Sequence, residues 1–73
     1  MQRFDLVGVD GNAFNIMGYV VNAMRNTGFT KEQIKDYQDE AMSSDYDNLL
    51  AVSVQRIDDC NEKLEASGEL EDE

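Results

Sequence analysis

The sequence predicts a mainly α fold: a small three-helix domain over residues 1–66, preceded by a short N-terminal strand or extended segment and followed by a disordered acidic tail over residues 67–73. Three observations predict it. Apolar residues recur at intervals of three and four through three separate stretches, the spacing of one helical face. Two of those stretches open with side chains suited to capping a helix, Thr30 in one and Ser44 or Asp45 in the other. From Ser67 onward one leucine stands among acids, too little apolar surface to offset the entropy of ordering the chain. A domain of this size hides only about 60% of the surface its unfolded chain exposes, so its stability margin is small and a partner or second copy is of use to it.

In residues 3–9, Phe4 and Leu6 alternate with Arg3, Asp5 and Val7, a strand-like period that ends at Gly8 and Val9. A lone strand does not stand by itself. It pairs with a second strand, with the same strand of another copy, or lies as an extended cover on the helices. The next stretch, DGNAF, reads first as a helix start, because Asp10 as N-cap places Val9 and Phe14 where a hydrophobic staple forms. Asp-Gly also suits a two-residue hairpin turn, and that reading stands beside the first. A phosphate loop fits worst, since glycines at 8 and 11 are followed by no lysine. Beyond it Phe14, Met17, Val21 and Met24 share a face, with Ala13, Ile16, Val20 and Ala23 beside it. So wide a stripe suits a central helix, ending near Thr27 with Gly28 as the left-handed residue after it. Gly18 costs this helix about 1 kcal/mol relative to alanine, which implies either close approach by another backbone or an ordinary packing position.

The second helix has the clearest start. In GFTKEQI, Thr30 is the N-cap, Gln33 completes a capping box, and Phe29 is placed to staple onto Ile34. Ile34, Tyr37, Ala41 and Met42 form the expected buried face, Lys35, Asp36, Asp39 and Glu40 the wet one, and the helix ends near Ser43. The third helix follows Ser44 or Asp45, with Asp45 and Asp47 near its positive amino end. Leu50, Val54, Ile57 and Leu64 set its stripe, Leu49, Val52 and Cys60 widen it, and it runs to about Ala66.

The net charge of -10 divides evenly: residues 62–73 hold six acids and one lysine, residues 1–61 ten acids and five bases. Nucleic acids and anionic membranes are bound by neutralising phosphates with Lys or Arg, and here Arg3, Arg25, Lys31, Lys35, Arg56 and Lys63 are scattered. Direct contact with either is therefore not expected. An acidic surface suits a basic partner, including the nucleic-acid groove of another protein, and also serves solubility. The single cysteine, Cys60, cannot form an internal disulfide, which fits a reducing compartment. With no apolar run of ~18 residues and no signal-like apolar core at the N-terminus, the expected location is the cytoplasm.

Histidine is absent, which removes the usual general base, the commonest metal ligand and the partner that activates a serine or cysteine. The reading is therefore non-enzymatic, with no cofactor. Asp36, Asp39, Glu40, Asp45 and Asp47 form the one candidate cluster for a hard cation, but no twelve-residue calcium loop with its glycine is present, and such acids more simply make a solvated face. Among the aromatics Tyr19 stands off the main stripe of the first helix and is the candidate interface anchor. Cys60 reads as a small buried apolar residue with no cation cluster to activate it.

With DGNAF, GFTKEQI and SSDYDNLL in this order, the chain resembles a group of small uncharacterised proteins of bacteriophage and mobile-element genomes, over residues 5–57. That group often has glycine before the DYD and histidine after it, where this chain has Ser44 and Asn48. The resemblance implies an accessory protein acting in the cytoplasm of a bacterial host; it brings no activity and no functional residue. The functional expectation is a protein that binds a basic host or phage protein through Asp36, Asp39, Glu40, Asp45, Asp47 and Tyr19, inhibiting a nucleic-acid-binding partner. The alternatives are a homo-oligomer paired through its N-terminal strand and a binder of divalent cations or a small ligand.

Overall fold

Helix α1 spans Ala13–Asn26, α2 Lys31–Ala41 and α3 Tyr46–Ala66, and no strand occurs among the described residues. The computed structural model describes residues 3–66, so the acidic tail expected over residues 67–73 lies outside the described residues.

Helix α1 starts two residues later than Asp10 would place it. Asn12 is the cap, its Oδ1 accepting from the Phe14 N–H at 2.8 Å, while Asp10 accepts instead from the Asn15 amide. Asn and Asp are about equal as caps, so position decides, and starting at Asn12 keeps Gly11 out of the helix, where it costs about 1 kcal/mol. The expected staple is therefore absent: Phe14 becomes the second helical residue and is 76% exposed. The far end is as expected. Gly28 sits at φ +94°, and the Phe29 and Gly28 N–H groups donate to the Met24 and Arg25 carbonyls, which closes the helix.

The capping box of α2 is complete, with the Thr30 hydroxyl accepting from the Gln33 N–H and the Gln33 side chain accepting from the Thr30 N–H. Helix α2 ends at Ala41, two residues before Ser43, and Met42 turns outward, 62% exposed rather than buried. Of the two candidate caps for α3, Asp45 is used, its Oδ1 accepting from the Asn48 N–H at 3.0 Å.

Helix α3 packs against both α1 and α2. It buries Leu49, Val52, Ser53, Ile57, Cys60, Asn61 and Leu64, a face rotated from the apolar count, so that Leu50 is only partly buried and Val54 is half exposed. The rotation follows from two polar members, Ser53 and Asn61. Tyr37 Oη and Ser53 Oγ share a 2.6 Å hydrogen bond in the core between α2 and α3.

Asn61 explains the N-terminal segment. Its side-chain amide accepts from the Phe4 N–H at 2.8 Å and donates to the Phe4 carbonyl at 3.0 Å, supplying the donor and acceptor that a neighbouring strand would offer. The Asp5 N–H donates to the Tyr19 hydroxyl at 2.8 Å, and the Phe4 ring meets Tyr19 edge-on. Residues 3–11 thus run as an extended strap from the carboxyl end of α3, where Arg3 pairs with Glu65, to its amino end, where the Tyr46 hydroxyl donates to the Gly11 carbonyl. A bend at Gly8, φ +93°, with the Val9 N–H donating to the Leu6 carbonyl, lies between. Of the three arrangements open to this segment, it takes the cover on the helices.

Two stability predictions follow from these positions. Asn61→Leu keeps the branched outline of the side chain but leaves Phe4 unpaired, and is expected to cost about 1–3 kcal/mol, read as a fall in melting temperature of roughly 4–8 °C per kcal/mol. Gly18 is exposed, and a Cβ built on it meets nothing within 4 Å. Gly18→Ala is therefore expected to raise stability by about 0.5–1 kcal/mol in a urea melt; a loss would mean that some backbone does approach that face.

Candidate interaction surface

The five acids singled out from the sequence lie on the second half of α2 and the start of α3, which the turn at residues 42–45 brings side by side. Several already have partners. Asp39 pairs with Lys35 at 3.0 Å, and Glu40 with Arg56 of α3 at 2.9 Å. The Glu40 carbonyl accepts from the Ser43 hydroxyl and from the Asn48 side chain, which ties the turn together. Asp45 caps α3, Asp47 lies in its first turn, and Asp36 borders a shallow cleft with Arg56 and Asp59. Exposed ion pairs of this kind contribute at most about 1 kcal/mol each, so they trim the charge of the face more than they hold the fold.

The acids form a band, not a ring. Among the described residues no group of three or more acids, cysteines or histidines comes close enough to hold a metal ion. Tyr19 lies elsewhere, partly buried on α1, and its ring and hydroxyl are engaged by Phe4 and Asp5 of the strap. The structure therefore sets Asp36 beside Arg56 and Asp59, Asp45 beside Met42 and Tyr46, and Tyr19 under the strap.

What counting charges missed is the apolar surface beside them. At the end of the bundle where α1 begins, α2 ends and α3 begins, Ala13, Ala41, Met42, Asp45, Tyr46 and Leu49 line a notch of about 240 Å³. Met42 and Tyr46 are its exposed large apolar members, at 62% and 44%. The signal in the sequence was Met42 at the end of α2, placed with Ile34, Tyr37 and Ala41 on the expected buried face. A second cleft, about 300 Å³, lies between the strap and α3, bordered by Val7 and Val54.

Buried titratable groups are inert. Burial pushes the Cys60 thiol up from its ordinary value of 9.0, with Asp59 adding to the rise while a hydrogen bond to Thr27 and the charge of Lys63 oppose it. Burial likewise raises Tyr37 above 10.0, against the lowering effect of Ser53 and Arg56. Neither group borders one of the surface clefts described above. No helix among the described residues is long and apolar enough to cross a membrane. No protein-family model, curated protein or solved structure matches this chain.

Because both groups are acids whose folded pKa is raised, the unfolded chain loses these protons first, and the stability they support is complete below the unfolded values and lost as pH rises past them. Stability is expected to fall as pH passes 9.0, through Cys60, and further beyond 10.0, through Tyr37. Urea melts across this range should show the first part of the decline missing in Cys60→Ala.

Proposed function

We propose that this chain is a small acidic accessory protein of a bacteriophage or mobile element, working in the cytoplasm of a bacterial host, that binds a basic protein through the band of Asp36, Asp39, Glu40, Asp45 and Asp47. One observation carries the reading. Between Lys35 and Arg56 there is no basic residue, while five acids fall in that interval, which runs from α2 through the turn at residues 42–45 into the start of α3. A surface of one sign attracts a partner of the other over roughly a Debye length, about 8–10 Å at physiological salt, and speeds association more than it tightens it. A partner whose own ligand is a nucleic acid presents that basic surface, and occupying it inhibits that partner. The absence of histidine and the engagement of the buried Tyr37 and Cys60 in packing leave binding, not catalysis, as the activity the surface supports.

The test is retention of proteins from a bacterial host lysate on the immobilised chain, eluted by rising salt. Basic proteins are expected to be retained and then released at roughly 0.2–0.5 M salt, where screening lengths fall below about 8 Å. The variant with Asn or Gln at all five positions should retain none of them. Equal retention by the variant would remove this face from the interaction.

A further inference from the structure

We infer that the notch between the start of α1 and the α2–α3 turn is an anchor pocket, which receives one apolar side chain from a Lys- or Arg-rich segment of a partner protein. This rests on the basic-partner reading proposed for the acidic face and names the surface and the chemistry of that partner more closely. Size favours a side chain: at about 240 Å³, the notch is smaller than the roughly 300–1,000 Å³ sites that bury drug-sized ligands, while it has room for one or two side chains. Its floor is apolar, from Ala13, Ala41 and Leu49, and its walls are Met42 and Tyr46. Met adapts its shape to what it meets, and Tyr46 adds the open part of an aromatic ring, a residue type enriched at interface anchors, with its hydroxyl held by the Gly11 carbonyl.

Charge selects the occupant. Asp10, Asp39, Glu40, Asp45 and Asp47 lie on the segments that meet at this end, and no Lys or Arg lies between residues 4 and 24 or between 36 and 55. Two helices begin here and one ends, so the helix dipoles leave only about +0.5 of a charge. Lys35 and Arg56 neutralise Asp39 and Glu40 from further along the helices, and Asp10, Asp45 and Asp47 have no ion pair among the described residues. A second copy would bring the same acids against these, and the only leucine of the C-terminal segment, Leu70, is flanked by Glu69 and Glu71. Both are repelled, whereas an apolar side chain with cationic neighbours is complementary on both counts.

Methyl NMR tests this directly, because Met42 is exposed while Met17 and Met24 are buried and serve as internal references. The probes are a lysine–leucine peptide about 14 residues long, its leucines at helical spacing, and the same peptide with glutamine for leucine. The expected result is a saturable shift of the Met42 methyl and Tyr46 ring signals with the leucine peptide, affinity at least tenfold above that of the glutamine peptide, and a loss of that advantage in Met42→Asp. Circular dichroism and unchanged Met17 and Met24 signals establish that the variant is folded. If both peptides bind equally, or the leucine peptide shifts residues near Val7 and Val54 instead, the anchor pocket is overturned while the acidic-face reading stands. If neither peptide binds at low salt, both fall together.

Discussion

The buried face of α3 is the constraint on which the other elements depend. Seven side chains from Leu49 to Leu64 leave water on this one helix, and they are shared among α1, α2 and the strap, so no other element has an independent core. A chain of this size has few apolar groups to spare, and yet two of the seven are polar. They are tolerated because both are satisfied, Ser53 by Tyr37 and Asn61 by Phe4, and among the described residues no buried side-chain polar atom lacks a partner. An unpaired group there would cost about 1–3 kcal/mol, a large part of the 5–15 kcal/mol that holds a typical domain. These two hydrogen-bonded sites therefore fix the rotation of α3, and through it the seating of everything that touches it.

That rotation marks the boundary of what the sequence makes legible. The existence and order of three helices are written locally, in the three-four spacing, in the Thr30–Gln33 box and in the glycine after Thr27, whose physics acts within a few residues. Which face of α3 is buried is not. Apolar counting favours Val54 and sends Ser53 and Asn61 to solvent, because their partners lie 16 and 57 residues away. The same blindness applies to the strap, whose alternating pattern signals extended backbone but not what pairs with it. At the start of α1, Asp10 and Asn12 are equally good caps, and the choice turns on Gly11 and on the Tyr46 hydroxyl that reaches its carbonyl. For the surface, the acids were visible as charge, but their division into paired and unpaired members, the withdrawal of Tyr19 into the strap and the notch beside Met42 depend on contacts between elements.

The acidic surface has a cost of its own. Charge of one sign opposes the compact state by self-repulsion while keeping copies of the chain apart, and the three visible ion pairs are too exposed to offset much of it. Added salt should thus relieve the repulsion within the molecule. The large apolar side chains left exposed are Val7, Phe14, Met42, Tyr46 and Val54 among the described residues.

The strap also has a place in time. Helical contacts between neighbours in sequence form quickly, whereas joining Phe4 to Asn61 closes a loop spanning 57 positions, and the entropy of that closure must be met before its hydrogen bonds reward it. The strap is therefore expected to dock after α3 has formed, since its partner Asn61 lies on that helix. Until the strap docks, Tyr19 and the flank of α3 face water, so the seating of residues 3–11 is what closes this side of the bundle.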